Sequence, residues 1–540
     1  MWLIDTRILE LKFVAEVEER SYAILSHTWE DEEFSFQEFR SLDREDLDRN
    51  RSKKGFGKIA KTCELAYQRG LSYAWVDTCC IDRSSSAELS EAINSMYSYY
   101  QNAAFCIAFI SDLEPSLDPE VHFQHHFPNC RWLTRGWTLQ ELIASPMLAF
   151  FDASWTFRGT KSDWKALIAK ETGVDEAILE DPQGLPSIPI ARRMSWASRR
   201  KTTRLEDMAY CLLGIFDINM PLIYGEGRKA FTRLQEEIAK GSCDLSLFAW
   251  RQEGSSPAYR GILAESPAEF AGSGGLKHRI RNAFLTNEFA ITNKGLRIQT
   301  ALVNVPNVSE DLVWNLGFSY RDDWPSHTSN GWIGLYLAKT PGTFVRARPD
   351  EFFQADWQPR YRCISSLMHI RKALTLSDAH FVGQRFQRAL KIEPSSMAKS
   401  SSGLAPKALW DENRALFLNQ GHGINAYLRL AFPVPGFHEH RLLIVACSTM
   451  DTPFCVIFQQ TDPMWPQIHS FLETSHEMSD FVAVDYLRLS FSVQEWPTLS
   501  SKASTCIQGT ASLDYFNVSA ELKERTYGDR SMFVLNIEVS

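Results

Sequence analysis

The first 155 residues alternate short apolar runs with stretches of helical spacing. Four runs are mostly apolar, as in strands buried on both faces: Tyr22–Leu25, Leu71–Val76, Phe105–Ile110 and Met147–Phe151. Apolar residues recur at helical spacing from Phe56 to Tyr67 and again from Leu89 to Tyr100. This alternation predicts an α/β fold over residues 1–155, with a parallel sheet flanked by helices.

Two helix starts are predicted from capping residues. Ser85 and Glu88 have the spacing of a capping box. Thr134 is predicted to cap a later helix that carries Trp137 and Glu141. Residues four apart share one helix face, so these last two side chains are expected to lie side by side.

The rest of the chain divides into a helical part and a β-rich part. Residues 156–245 carry apolar stripes that predict a helical extension, and residues 246–540 carry period-two runs that predict a β-rich, sandwich-like domain. These runs are Phe289–Val303, Leu312–Phe318, Trp332–Leu337, Tyr427–Phe432, Leu442–Cys447 and Phe533–Val539. The Ser-, Lys- and Pro-rich segment Pro394–Ala408 is predicted to be a mobile loop.

The net charge and the lengths of the apolar runs argue against some classes of partner and against a membrane-spanning segment. The 540 residues carry a net charge of −9, so neither nucleic acid nor an anionic membrane is an expected partner. The basic cluster from Arg192 to Arg204 is expected to be a solvated helix face. No apolar run nears the length of about 18 residues that a membrane-spanning helix needs, and no secretory leader is recognised.

The eleven cysteines favour a reducing compartment over a metal or disulfide framework. They show no CxxC spacing, so we expect reduced thiols, a cytoplasmic location and no metal site. Cys79 and Cys80 are expected to pack in the core rather than act as nucleophiles, because no partner histidine is evident nearby in sequence.

Three segments resemble the motifs of fungal heterokaryon incompatibility (HET) domains. They occur in the family's order, at residues 22–29 (YAILSHTW), 75–82 (WVDTCCID) and 135–142 (RGWTLQEL). Arg83 follows the second segment, where a typical HET protein has Lys. Residues 221–227 (PLIYGEG) resemble a block that often follows HET domains, and its Gly-Glu-Gly is expected to be a helix-start turn rather than a nucleotide loop.

HET domains are similar to Toll/interleukin-receptor (TIR) domains, so the resemblance implies a TIR- or flavodoxin-like sheet. A first strand ending in Leu25, Ser26 and His27 is like the opening box of TIR domains. Trp137 and Glu141 match the Trp-x-x-x-Glu motif of TIR domains that cleave NAD+, in which the Glu is catalytic. The resemblance makes Glu141 the candidate catalytic residue, with NAD+ as the substrate and no cofactor.

The carboxyl ends of the predicted strands collect side chains suited to that reaction. Cleavage of the nicotinamide–ribose bond builds positive charge on the ribose, which a nearby carboxylate stabilises. Ligands of open parallel sheets bind at the carboxyl ends of the strands. The candidate substrate-binding residues are Ser26, His27, Trp29, Asp77, Asp82 and Trp137.

Each candidate also has a structural interpretation. Glu141 is suited to a salt bridge or a backbone hydrogen bond, and Trp137 to anchoring the core. His27 is suited to a hydrogen bond with a neighbouring loop. Asp77 and Asp82 are suited to capping backbone amides, as loop aspartates often do.

The resemblance implies a fungal effector of heterokaryon (vegetative) incompatibility, which takes part in self/non-self recognition and programmed cell death. The expected mechanism is NAD+ cleavage activated by self-association through the HET domain, with the β-rich domain sensing an unknown protein partner or holding the enzyme inactive. One alternative is a non-enzymatic adaptor that signals through homotypic contacts. A third interpretation is a carbohydrate- or peptide-binding module in the β-rich domain.

Overall fold

A computed structural model describes most of the chain. The described residues are 1–15, 19–42, 50, 53–116, 118–252, 254, 258–278, 288–304, 312–320, 331–356, 362–393, 403–405, 409–411, 415–419, 423–433, 440–450, 453–461, 465–466, 506–513, 516–527 and 530–539.

A seven-stranded mixed sheet organises the N-terminal region. Its strands are β1 (Trp2–Asp5), β2 (Leu11–Phe13), β3 (Tyr22–His27), β4 (Tyr73–Trp75), β5 (Phe105–Phe109), β6 (Leu148–Phe151) and β7 (Phe157–Thr160). They lie in the order β2-β1-β4-β3-β5-β6-β7. The central strands β4, β3, β5 and β6 are parallel, and antiparallel strands flank them on both sides. The predicted parallel strands are therefore present, at the centre of a mixed sheet.

Short helices connect and cover these strands. They are α1 (Phe36–Arg40), α2 (Lys54–Gln68), α3 (Ser86–Asn102), α4 (Pro119–His126), α5 (Arg131–Thr134), α6 (Thr138–Ala144), α7 (Lys165–Thr172), α8 (Glu176–Glu180), α9 (Ile190–Ser195), α10 (Asp207–Tyr210), α11 (Leu213–Phe216) and α12 (Lys229–Gly241). Helix α2 packs on β3 and β4, while α3 packs on α6 and α11. Strands β3 and β5 are buried along their whole length, as their apolar runs predict.

The two predicted helix starts have different outcomes. The Ser85 side chain caps α3 by accepting a hydrogen bond from the Glu88 amide, but the Glu88 carboxylate accepts from the Asp82 amide and does not complete the predicted capping box. The prediction for Thr134 is wrong, because Thr134 ends α5 and its hydroxyl donates to the Arg131 carbonyl. Helix α6 begins at Thr138, with Trp137 at its N-cap position.

The sheet continues past the predicted boundary at residue 155. Strand β7 pairs with β6, and the fully buried side chains of Arg158 and Asp152 form an ion pair across the turn between them. The α/β unit therefore extends at least to Thr160. Its last strand is hard to recognise in sequence because its residues are mostly polar and only one of the four is buried.

The extension packs directly against the third motif. The Gly136 amide donates to the Lys201 carbonyl at 2.8 Å, and the Lys201 amide donates to the Thr134 carbonyl at 2.7 Å. A Cβ on Gly136 would lie 2.5 Å from the Thr202 methyl group. The chain is thus locked to the extension at the residue before Trp137, and a side chain there has no room.

We expect Gly214→Ala to destabilise the protein by about 1–3 kcal/mol, the usual range for overpacking. A Cβ on Gly214, in α11, would lie 2.1 Å from the Cβ of Tyr97 in α3, so the two helices would have to separate. Gly57→Ala in α2 is the matched control, since its Cβ would meet nothing within 4 Å. Urea unfolding should show a gain of about 0.5–1 kcal/mol for that control; equal stability changes in both variants would contradict this packing.

The β-rich part begins with a ring of strands. Its strands are Tyr259–Arg260, Phe289–Thr292, Gly295–Asn304, Leu312–Asn315, Gly331–Thr340, Thr343–Ala347, Phe353–Asp356 and Arg362–Ile370, beside a separate pair formed by Leu276–His278 and Phe318–Tyr320. Gly331–Thr340 pairs on one side with Leu312–Asn315 and on the other with Thr343–Ala347. Further pairings through Gly295–Asn304 and Arg362–Ile370 close five strands on themselves. This closed arrangement differs from the predicted sandwich.

Two further sheets follow. The six-stranded sheet contains Leu390–Ile392, Trp410–Asp411, Leu416–Phe417, Cys506–Leu513, Phe516–Tyr527 and Arg530–Val539. The four-stranded sheet contains Gly403–Ala405, Asn425–Pro433, His440–Ser448 and Phe454–Gln459. A helix, Leu376–Gln384, precedes both sheets. The predicted period-two runs all contribute to strands. The predicted loop Pro394–Ala408 lies outside the described residues except for its strand Gly403–Ala405.

One hydrophobic core crosses the predicted boundary at residue 245. It extends from Leu3 to Ile370, and a second core spans the later sheets. Arg346, on a strand of the ring, donates to the Phe248 carbonyl at 3.2 Å, and its guanidinium lies 3.8 Å from the centre of the Trp250 ring. The α/β unit, the extension and the strand ring therefore form one packed body. No helix in the described ranges is long and apolar enough to cross a membrane.

Candidate functional site

The candidate residues of the first two motifs gather at the carboxyl ends of β3 and β4. Ser26 and His27 are the last residues of β3, and Asp77 comes two residues after β4. The strand order reverses at β3: the next strand in sequence lies on one side of it, and the two later parallel strands lie on the other. Ligands of open α/β sheets bind in the crevice at such a reversal.

Glu141 is held inside the fold by a chain of hydrogen bonds. Its carboxyl group lies in the first turn of α6, is 6% exposed and accepts a hydrogen bond from the Ser26 hydroxyl. The indole N–H of Trp132 donates to the same hydroxyl oxygen at 2.8 Å. Because both partners are fully buried, this chain fixes the position of the Glu141 carboxyl.

The environment keeps Glu141 protonated to an unusually high pH. Burial is the main cause, and with the negative charge of Asp77 it raises the pKa of Glu141 from 4.5 to about 7. The Ser26 hydrogen bond and the positive charge of Arg135 oppose this shift. Glu141 therefore changes protonation near neutral pH, as acid–base groups of enzymes often do.

The pKa of Asp77 is shifted in the opposite direction. Burial alone would raise its pKa, but the hydrogen bond from His27 and the charges of His27, Arg83 and Arg135 outweigh burial and lower the pKa to about 2. One carboxylate oxygen is 2.9 Å from His27 Nε2, and the other accepts from the Trp29 indole at 2.8 Å. Asp77 is thus an ionised carboxylate that orients His27 and Trp29.

His27 connects Asp77 to a buried lysine. Its Nδ1 atom lies 3.4 Å from the Lys58 ammonium, which also forms an ion pair with Glu33 and donates to the Thr28 carbonyl at 3.2 Å. The Asp77 carboxylate can only accept, so His27 Nε2 carries the hydrogen of this bond and donates it to Asp77. Both nitrogens of His27 are therefore engaged, which suits a residue that holds Asp77 in place.

Asp82 and Trp137 have other partners. The Asp82 carboxylate accepts from the Gln37 amide group and from the hydroxyl and backbone amide of Ser84. This is the capping role that loop aspartates often have. Trp137 lies near Asp207 of the extension, where it opposes the burial that raises the pKa of the Asp207 carboxyl group. The Asp207 carboxylate accepts a hydrogen bond from the Tyr224 hydroxyl at 3.0 Å.

Two arginines that were not candidates complete the crevice. The Arg83 and Arg135 guanidinium groups lie 4.1 and 5.1 Å from the centre of the Trp29 ring, and Trp29 is 37% exposed. Each adjoins or belongs to a recognised motif, but spacing alone does not reveal that both meet Trp29. Their positive charges favour the ionised form of Asp77.

The basic cluster of residues 192–204 is not one solvated face. Arg192 forms an ion pair with Asp175, and Arg193 donates to the Ile215 carbonyl at 3.0 Å. Arg200 is buried and donates to the Arg135 carbonyl at 2.8 Å and to Thr138 at 2.9 Å. The expectation of solvated side chains is therefore wrong for these three arginines, and Arg200 instead supports the start of α6.

The remaining motif residues have structural surroundings. Gly225 and Gly227 donate their amides to the Glu206 carboxylate at 2.8 and 2.9 Å in a turn before α12, so the predicted helix-start turn is confirmed. Cys79 and Cys80 are buried in the core, as predicted. The described residues contain no cluster of side chains that could hold a metal ion.

Comparison with known families gives a match over the first two motifs and the central strands β3, β4 and β5. Residues 22–126 match the family described as heterokaryon incompatibility protein (HET). This part of the chain is therefore similar to the HET family.

A curated relative extends this likeness beyond the matched range. Vegetative incompatibility protein HET-E-1 of Podospora anserina is 43% identical over 226 residues, which are 41% of this chain and 16% of that protein. The chain thus matches less than a fifth of the length of this relative. No solved structure gives a significant match.

Proposed function

We propose that this protein is an effector of heterokaryon incompatibility and cell death, and that its HET domain cleaves NAD+ in the manner of a TIR domain. The observation that carries the enzymatic part is the pair of carboxyl groups at the crevice. Asp77 has a pKa lowered to about 2, and Glu141 has a pKa raised to about 7. Two carboxyl groups whose pKa values are shifted in opposite directions are typical of acid–base sites that break glycosidic bonds.

The reaction assigns a different task to each group. The bond from ribose C1′ to the nicotinamide nitrogen breaks, its electron pair leaves with neutral nicotinamide, and positive charge develops on the ribose. The ionised Asp77 stabilises that charge. Glu141 binds a ribose hydroxyl or accepts the proton of the attacking water. The products are nicotinamide, ADP-ribose and one proton.

The order of the parallel strands supports a TIR-like or flavodoxin-like arrangement. In chain order, the four parallel strands lie second, first, third and fourth across the sheet. This is the order of the flavodoxin-like doubly wound fold, whose ligands bind where the order reverses. Ser26 and His27 end the first of these strands.

The test is nicotinamide release by the full chain, concentrated with a crowding agent to drive self-association through the HET domain. Glu141→Gln keeps the size of the side chain and an acceptor for Ser26, and we expect it to reduce turnover by about 100-fold or more. The surface variant Glu10→Gln is the control. The wild-type rate should rise with pH through about 7 as Glu141 ionises.

One observation favours a second function. Glu141 is only 6% exposed and is already bound by Ser26, which suits a structural carboxyl group in an adaptor domain. An adaptor would show no nicotinamide release under any assembly condition. Concentration-dependent self-association, measured by sedimentation, would then be unchanged in Glu141→Gln.

A further inference from the structure

The two arginines beside Trp29 lie near the negative charge of Asp77 but form no direct ion pair with it. Among the residues that the structure describes, neither the Arg83 nor the Arg135 side chain makes a hydrogen bond or an ion pair. The Nε atom of Arg135 is a buried donor without an acceptor. A buried donor without an acceptor costs about 1–3 kcal/mol, so such groups are rare without a reason.

Other arginines of the same region are paired. Arg131 forms an ion pair with Glu30, Arg158 with Asp152, and Arg192 with Asp175. The Asp77 carboxylate accepts its hydrogen bonds from His27 and Trp29 and not from either arginine. The crevice therefore carries two guanidinium groups with free donors.

Their position fits a ligand rather than a structural contact. Arg83 follows the motif after β4, and Arg135 precedes α6, which carries Glu141. Both guanidinium groups lie beside Trp29, which is partly exposed, whereas Glu141 is buried. Planar guanidinium groups match the oxygens of phosphate in a two-pronged geometry, and they remain charged at every physiological pH.

We propose that Arg83 and Arg135 bind the diphosphate group of a nucleotide substrate. The inference rests on the proposed cleavage of NAD+ for the identity of the rest of that substrate. It adds that the phosphates, rather than the base or the nicotinamide, are required for binding. Nucleosides without phosphate are therefore poor ligands, and added salt weakens the binding of the diphosphate compounds.

The test is calorimetric titration of the full-length Glu141→Gln protein with ADP-ribose, inorganic pyrophosphate and adenosine. We expect ADP-ribose and pyrophosphate to bind and adenosine not to bind. Arg83→Gln and Arg135→Gln should each weaken ADP-ribose binding by about tenfold or more. Arg525 is exposed on the strand Phe516–Tyr527, so Arg525→Gln should bind ADP-ribose as tightly as the Glu141→Gln protein does. Circular dichroism melting checks folding, and Arg135→Lys, which keeps the charge, should recover part of the affinity.

Equal affinity for ADP-ribose in the parent and in both folded arginine variants would overturn the diphosphate site, whether or not the wild-type protein cleaves NAD+. Adenosine that binds as tightly as ADP-ribose would do the same. Phosphate-dependent binding that is lost in the arginine variants, in a wild-type protein that never releases nicotinamide, would support the diphosphate site and overturn the proposed cleavage.

Discussion

Glu141→Gln is expected to make the protein more stable at pH 8 by about 3 kcal/mol. Burial raises the pKa of Glu141 from 4.5 to about 7, so the folded state holds a proton that the unfolded state releases. The wild-type protein is therefore relatively stabilised below pH 4.5, and it loses this stabilisation as the pH rises through about 7. A pKa difference of this size corresponds to about 3 kcal/mol. Glutamine carries no charge and avoids the loss.

The measurement is urea unfolding of both proteins at pH 5 and pH 8. From pH 5 to pH 8, the free energy of unfolding of the wild-type protein should fall relative to that of Glu141→Gln. The Glu10→Gln protein should show the same fall as the wild type. A variant less stable than wild type at pH 8 would show that the ionised carboxylate is itself well stabilised by Ser26. Gain of stability together with loss of nicotinamide release would be the pattern expected of an active site that is strained for function.

Asp152→Ala is expected to destabilise the protein by about 3–5 kcal/mol, the range for breaking a buried ion pair on one side. The Asp152 side chain is fully buried and Arg158 nearly so, and Arg158 Nε donates to Asp152 at 2.8 Å. The other Asp152 oxygen accepts from the Ser154 and Thr156 amides, each at 2.9 Å. Removing the carboxylate leaves a buried guanidinium and two amides without their acceptor.

Thermal and urea unfolding measure this loss. The double variant Asp152→Ala with Arg158→Met should recover a large part of it, because no buried charge is then left unpaired. Glu64→Ala provides a surface comparison, since its pair with Lys61 is exposed and should contribute less than about 1 kcal/mol. A single variant as stable as Glu64→Ala would contradict the role of Asp152 in joining β6 to β7.

The parallel centre of the fold is predictable because its strands are buried on both faces. In such strands burial and apolar composition coincide, as in Tyr22 to Leu25 and in β5. The edge strands are not predictable in this way. Strand β2 is three residues long and largely exposed, and only one residue of β7 is buried. Strand β7 lies past residue 155 and one core crosses residue 245, because composition does not reveal which distant surfaces share a core.

In the candidate site, too, some contacts can be predicted from the sequence and others cannot. Motif spacing brings Ser26, His27 and Asp77 to one edge because parallel strands place their carboxyl ends together. Spacing does not reveal that Trp137 lies near Asp207, since that proximity depends on how the extension folds back. It also does not reveal that the Arg83 and Arg135 guanidinium groups lie against the Trp29 ring. These contacts are tertiary and depend on packing.

The core that joins Leu3 to Ile370 also sets the timing of assembly during synthesis. A ribosome adds about 5–20 residues per second, so on the order of 10 to 50 seconds separate the emergence of Glu141 from that of Ile370. Until then Phe248 and Trp250 lack the ring strand whose Arg346 covers them. The apolar side chains of Phe248 and Trp250 therefore stay uncovered in the nascent chain during this interval. The packed body around the crevice is complete only after the strand that ends at Ile370 has been made.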